Sequence, residues 1–172
     1  MRVAKGGYTL LEIVAVLMII GLVGVCAIGH VKRMHALMLE ADVRLLASTI
    51  LYLQHEALAT GVAQELVCDP KNAWYHYQGT TSSLSRHTIY GSVPGAFGPP
   101  ANPERPVVSP VTFAHNKVQI HPDGTISAGC IYLATRDGSN SYALSCSVGR
   151  GHMMKLYRYN NGWQVLPLDG TP

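Results

Sequence analysis

A single carboxylate, Glu12, is the side chain whose chemistry the sequence constrains most. It stands directly before residues 13–29, a run that contains no charged side chain. An ionised carboxylate on an apolar helix costs at least a few kcal/mol in a bilayer, so such a residue usually has both a partner and a function. Because no cation lies on the same stretch, we expect a group from another chain to neutralise Glu12.

The cysteines are the second set of side chains with chemical potential. Cys130 and Cys146 each lie eight residues from Gly138, in a predicted hairpin of residues 129–147. If the turn is centred on Gly138, the two cysteines face each other with Cα atoms about 4.5 Å apart, at the short edge of disulfide range. Cys68 leaves an odd thiol, so a bond that uses Cys68 and no bond at all remain alternatives, while Cys26 lies within the apolar run.

The remaining titratable side chains form no catalytic or metal-binding pattern. The eight histidines are scattered along the chain, and none forms a His-x-x-x-His pair beside an acid. The turn of residues 137–141 offers one carboxylate and lacks the downstream bidentate glutamate that a calcium loop needs. We therefore predict no enzyme activity, no bound metal and no cofactor.

The composition predicts a membrane anchor followed by one globular domain. The chain has 172 residues, of which 48% are hydrophobic and 13% charged, and its formal net charge of +3 does not by itself indicate nucleic-acid binding. Residues 8–29 are predicted to cross the roughly 30 Å hydrocarbon core as a helix. Residues 1–7 form a basic leader whose Arg2 and Lys5 indicate a cytoplasmic N-terminus. A cytoplasmic N-terminus puts the C-terminal head on the opposite side of the membrane, which the chain is predicted to cross once.

The N-terminal segment is also compatible with three simpler signals. Residues 25–27 would pass as the cleavage site of a secretory signal peptide, although Glu12 fits poorly within the apolar region of such a signal. A lipoprotein site at Cys26 is the second signal, and a plain single-pass anchor is the third.

Residues 30–61 are predicted to continue the helix with one apolar face. Apolar side chains recur there at steps of three and four residues, with charged side chains between them. Gly61 is a predicted C-terminal stop. We expect the apolar face to pack under a sheet.

Residues 62–172 are predicted to form a β-rich head. Short apolar runs bounded by Gly, Pro, Asn or Asp predict strands at residues 64–68, 74–78, 88–90, 107–113 and 117–121. A hairpin of residues 129–147 and a closing hairpin that turns at residues 160–162 follow. Residues 91–110 carry six prolines, which predicts a surface loop because proline cannot donate to a strand ladder.

The N-terminus resembles the prepilin peptidase site of type IV pilins and of the pseudopilins of type II secretion. The resemblance rests on Gly7-Tyr8-Thr9-Leu10-Leu11-Glu12 followed by an apolar helix. It implies cleavage between Gly7 and Tyr8, N-methylation of Tyr8, and pairing of Glu12 with the terminal amine of a neighbouring subunit. It also implies that the chain lies in the bacterial inner membrane, which it spans once, with the C-terminal head in the periplasm. Tyr8 replaces the usual phenylalanine and keeps an aromatic ring.

The head resembles the GspH/FimT family of minor pseudopilins and minor pilins. The resemblance rests on residues 121–125, on Gly129, and on the segment Ser147-Val148-Gly149-Arg150. The FimT branch carries a Gly-Arg-x-Arg motif associated with DNA binding, and His152 here replaces its second arginine. The resemblance makes Arg150, His152, Lys155 and Arg158 candidate DNA contacts; strand alternation predicts Lys155 on the opposite face from the other three.

The predicted fold class is α+β, with a long N-terminal helix, half membrane-spanning and half amphipathic, packed on a C-terminal antiparallel β-sheet head of pilin type. The predicted function is a minor pseudopilin of a type II secretion system, near the tip of a periplasmic pseudopilus. A FimT-like minor type IV pilin, serving pilus assembly or DNA uptake, is the alternative. The implied partners are other pilin-like subunits through the N-terminal helix, prepilin peptidase, the inner-membrane assembly platform and secreted proteins, with DNA as the less favoured partner.

Overall fold

The computed structural model describes residues 9–98, 105–147 and 154–168, without the side chains of residues 25–30 and 32. The chain divides into two compact units, Met1–Met34 and His35–Pro172. Helix α1 spans Leu10–Thr60. It ends where predicted, because Gly61 has a positive φ of 69° and donates its N–H to the carbonyl of Ala57 at 2.9 Å.

Within the described residues, nine strands follow α1 and form two antiparallel sheets. They are β1 (Gln64–Asp69), β2 (Trp74–Tyr77), β3 (Thr80–Ser83), β4 (Thr88–Tyr90), β5 (Lys117–Ile120), β6 (Gly129–Thr135), β7 (Ser141–Cys146), β8 (Met154–Tyr159) and β9 (Trp163–Leu166). The first sheet has the order β3-β2-β1-β5, and the second has the order β4-β6-β7-β8-β9. The chain therefore visits the second sheet at β4 and returns to the first at β5 before completing the second.

One hydrophobic core contains buried residues of α1 and of both sheets. The buried residues of the helix recur at helical spacing: Leu39, Val43, Leu46, Ala47, Ile50, Leu53 and Ala57. Leu66 and Val118 of the first sheet, and Leu133 and Leu144 of the second, belong to the same cluster. This cluster is called the main core below.

The opposite face of the second sheet carries a smaller cluster, called the outer cluster. It consists of Cys130, Tyr132, Ala143 and Tyr157, with Val107 and Trp163 packed against it. Both faces of the central strands β6 and β7 are therefore buried, which explains their nearly continuous burial.

The described parts of the Pro-rich segment form an arm, defined as residues 91–98 and 105–113. Its two halves pair with each other, since Gly98 N–H donates to Arg105 O at 2.7 Å and Val107 N–H donates to Ala96 O at 3.2 Å. The Trp163 indole N–H donates to Phe97 O at 2.6 Å and attaches the arm to β9. The arm thus lies against the outer cluster, and its described residues belong to no named strand or helix and are mostly exposed or half-buried, as the surface loop predicted for residues 91–110 requires.

The predicted fold class is wrong. The β part consists of nine strands in two antiparallel sheets, instead of a single pilin-type sheet, so the unit His35–Pro172 is mostly β. The predicted long helix, half membrane-spanning and half packed on the head, is not found as one packed element, since residues up to Met34 belong to a separate unit. This two-sheet architecture is hard to predict from the sequence. Prolines and strands rich in hydroxyl side chains interrupt the alternation of apolar and polar residues on which strand prediction depends.

The predicted transmembrane helix and inner-membrane location are also wrong. Nowhere in the described part of α1 are length and apolar character together sufficient for a membrane span.

Most predicted strands are confirmed, one is wrong, and one observed strand was not predicted. The predictions at residues 64–68, 74–78, 88–90 and 117–121 match β1, β2, β4 and β5. The predicted strand at residues 107–113 is wrong: its isolated bridge joins Val111 to Ile131, and Pro110 has no N–H to donate to a strand ladder. Strand β3 was not predicted, since its sequence, Thr-Thr-Ser-Ser, has no apolar alternation.

Candidate functional site

The N-terminal candidate residues fall partly outside the described residues. Gly7, with the rest of the leader of residues 1–7, and Tyr8 are not among the described residues. The predicted cleavage after Gly7 and the predicted methylation of Tyr8 therefore remain predictions. Glu12 is described, and it lies exposed in the first turn of α1.

Glu12 also has a local role at the start of its own helix, which the apolar run alone does not reveal. Thr9 directly precedes α1, and its Oγ1 accepts a hydrogen bond from the backbone N–H of Glu12 at 3.3 Å. A threonine followed three residues later by glutamate is the pattern of a capping box, and an acid in the first turn also interacts favourably with the helix dipole. Glu12 is therefore placed to stabilise the start of α1, and its pairing with a group from another chain stays a prediction.

The described side chains of Met1–Met34 present an apolar surface. From Leu10 to Gly24 every residue is exposed, including Leu10 at 83% and Met18 at 71%. Exposed apolar side chains scattered singly are normal on a protein surface, whereas a contiguous set of this kind marks an interaction site. This exposed set is called the apolar helix surface below.

The predicted facing of Cys130 and Cys146 is wrong by one residue. In the β6–β7 ladder Gly129 pairs with Cys146, and Cys130 pairs with Ser145. A shift of one residue sends a side chain to the opposite face of a strand. Cys146 accordingly lies in the main core and Cys130 in the outer cluster, so these two cysteines do not form the predicted disulfide.

The three cysteines that lie in the sheets are free and buried. Burial raises the pKa of the Cys68 thiol to about 11 and that of Cys146 to about 12. Burial also raises the pKa of Cys130, which has the hydroxyls of Ser145 and Tyr132 as hydrogen-bond partners. Because the thiolate is the reactive form, these thiols are poor nucleophiles at neutral pH.

Two of the four candidate DNA contacts, Lys155 and Arg158, lie among the residues that the structure describes. Lys155 and Arg158 are exposed on β8, three residues apart, so their side chains leave opposite faces of the strand as predicted. Arg150 and His152 lie outside the described residues. The two described cations therefore do not line one continuous path for a phosphate backbone.

Polar contacts attach the part of α1 from His35 onwards to loops of the unit His35–Pro172. Asp42 accepts hydrogen bonds from the Ser85 backbone N–H at 3.1 Å and the Ser85 hydroxyl at 2.9 Å. Gln54 donates to Gly124 O at 2.6 Å. The rings of His35 and His87 stack with centroids 3.8 Å apart. Periodicity gives no signal for such contacts, because each depends on how distant segments meet.

Comparison with other proteins adds no relative to this description: no family model, no curated protein and no solved structure matches the chain.

Proposed function

We propose that this chain is a minor subunit of a pilin-like filament, in the first place a pseudopilin of a type II secretion system. The observation that carries the proposal is the apolar helix surface at the start of α1. A helix with large apolar side chains exposed on all sides needs an apolar partner, and packing against like helices of other subunits supplies one.

The sequence around the helix start supports the same proposal. Gly7-Tyr8-Thr9-Leu10-Leu11-Glu12 resembles the site at which prepilin peptidase cuts before assembly. Cleavage after Gly7 would create a terminal amine four residues from the α1 carboxylate. The amine of one subunit neutralises Glu12 of another, and this pairing sets the stagger between the two helices.

The folded unit His35–Pro172 serves as the part that contacts neighbouring minor subunits and secreted proteins. A FimT-like type IV pilin remains the rival assignment. The opposite-facing Lys155 and Arg158 give no support to its DNA-binding role.

The test places a photo-crosslinking residue at two sites of nearly equal exposure. Leu17 is 62% exposed on the apolar helix surface, and Val165 is 61% exposed on β9. In cells that express the secretion genes, the probe at Leu17 should crosslink to other pilin-like subunits, and the probe at Val165 should not give the same helix-to-helix products. Equal products from both sites, or none from Leu17, would contradict the proposal.

Glu12→Ala gives a second test that separates processing from assembly. The variant should still be cut to a chain that begins at methylated Tyr8, as read by mass spectrometry, and yet enter filaments poorly. Thr9→Ala is the matched control, because it removes the cap hydroxyl and keeps the carboxylate. If Thr9→Ala impairs assembly as much as Glu12→Ala, capping explains the effect and the amine pairing is wrong.

A further inference from the structure

A cavity lies between the arm and the second sheet, beside the outer cluster. Its volume is about 650 Å³, within the 300–1,000 Å³ that small-molecule sites typically occupy. The arm supplies one wall through residues 105–109, and the sheet supplies the other through the start of β6 and the end of β7.

The walls of the cavity are largely apolar. Val107 and Val108 line it from the arm, and Cys130 and Tyr132 line it from β6. Hydroxyl groups of Ser109 and Thr112 are engaged with the backbone, at Val111 O and Cys130 O respectively. The cavity therefore offers its occupant mostly apolar contact, with few polar groups to orient it.

One positively charged residue borders this apolar space. Among the described residues that line the cavity, Arg105 is the only ionisable cation and no carboxylate is present. The described part of the chain contains no ion pair to Arg105. A guanidinium group holds a carboxylate through two parallel N–H donors, in a geometry that a lysine cannot reproduce.

The arm holds Arg105 in place at the edge of the cavity. The carbonyl of Arg105 accepts the N–H of Gly98 at 2.7 Å, and Pro106 forms a bridge with Phe97. Phe97 in turn is fixed by the Trp163 indole. The backbone that presents the guanidinium is thus tied to the same sheet that forms the opposite wall.

We propose that this cavity binds a small amphiphilic monocarboxylate. The carboxylate lies on the Arg105 guanidinium, and the apolar tail lies along Val107, Cys130 and Tyr132. Charge complementarity selects one anionic head, because the described lining contributes one positive charge, and the apolar walls select the tail. The inference does not depend on the proposed filament role, and each can fail without the other.

The test measures binding of octanoate to the full chain by isothermal titration calorimetry. Octanoate should bind saturably, and octylammonium, with the same tail and the opposite charge, should not. Butanoate should bind far more weakly, by about fourfold for each methylene removed, if the tail is buried.

Arg105→Gln is expected to weaken octanoate binding at least about tenfold, the scale of one charge-assisted hydrogen-bonded pair. Arg136→Gln is the matched control, because Arg136 lies in the β6–β7 loop and does not line the cavity. Both variants retain the apolar helix surface. Any octanoate that binds to that surface therefore contributes equally to the two titrations and cancels in the comparison.

Ser145→Phe provides an independent block by filling the cavity from the sheet side, with folding checked by near-ultraviolet circular dichroism. Loss of octanoate binding in a folded Ser145→Phe variant supports the site. The proposal is overturned if the wild-type chain shows no saturable octanoate binding, if octylammonium binds equally well, or if Arg105→Gln binds octanoate as the wild type does.

Discussion

Cys130 and Cys146 project from opposite faces of the second sheet, because Gly129 and not Cys130 pairs with Cys146. The Cys146 thiol lies in the main core, and the Cys130 thiol lies in the outer cluster beside two hydroxyl groups. The two thiols share a hairpin and still have different surroundings.

This difference predicts different responses to the same substitution. Cys146→Ser would place a hydroxyl among apolar side chains without a partner, and should lower the free energy of unfolding by about 1–3 kcal/mol. Cys130→Ser should lower it less, because Ser145 and Tyr132 can bond the new hydroxyl. Urea unfolding of the two variants measures the difference. Equal losses would contradict the assignment of the thiols to opposite faces.

Adjacent leucines of α1 provide a matched pair for the main core. Leu46 is 0% exposed and Leu45 is 55% exposed. Leu46→Ala should destabilise the protein by about 2–5 kcal/mol, because it removes buried methyl groups and leaves a cavity. Leu45→Ala should change stability by no more than about 0.5 kcal/mol. Similar losses for both variants, in thermal or urea unfolding, would show that α1 does not present this face to the core.

A side chain at position 129 should clash with a neighbouring ring. A Cβ at this position would lie 2.6 Å from Cδ1 of Phe113, which is too close without movement of the ring. Gly129→Ala should therefore destabilise by about 1–3 kcal/mol through overpacking. Adding Phe113→Leu should recover part of the Gly129→Ala loss, and a double-mutant cycle measures that coupling. Strictly additive losses would mean that the two residues do not meet.

The Asp137 carboxylate should contribute to the free energy of unfolding in a way that depends on pH. Hydrogen bonds from Thr135 and Ser139 lower the pKa of its carboxyl from 3.8 to about 2. A folded-state pKa below the unfolded value stabilises the protein above pH 3.8, and that stabilisation is lost as the pH falls towards about 2. The side chain is exposed, so the contribution should stay below about 1 kcal/mol.

The stability difference between wild type and Asp137→Asn should shrink between pH 5 and pH 2, as measured by urea midpoints at each pH. Glu65→Gln serves as a control that removes a carboxylate from the exposed pair with Lys117. A difference that stays constant with pH would contradict the role of the Asp137 hydrogen bonds.

Local sequence signals predicted individual elements well. Alternating apolar residues and turn residues located β1 and β2, the hairpin of β6 and β7, and the turn at Asn160 that leads to β9. Gly61 located the end of α1. These features depend on neighbours within a few residues, which periodicity and turn chemistry report directly.

The pairing of distant segments could not be predicted from local sequence signals. The loop between β6 and β7 has Thr135 N–H donating to Asn140 O, which shifts the ladder by one residue from the register that a turn centred on Gly138 gives. The division of the strands into two sheets depends on β5 returning to β1, which is a contact across some fifty residues of sequence. The cavity beside Arg105 likewise forms only when the arm meets the sheet.

The hydrogen bond from Gly98 N–H to Arg105 O keeps the two ends of the intervening residues side by side. Because the entropy of closing a loop grows slowly with its length, extra residues between these ends should add little to the unfolding equilibrium. An affinity tag or a fluorophore-bearing peptide inserted between Gly98 and Arg105 should therefore change the urea midpoint of unfolding little. The arm therefore provides an internal labelling position for following this chain in live cells.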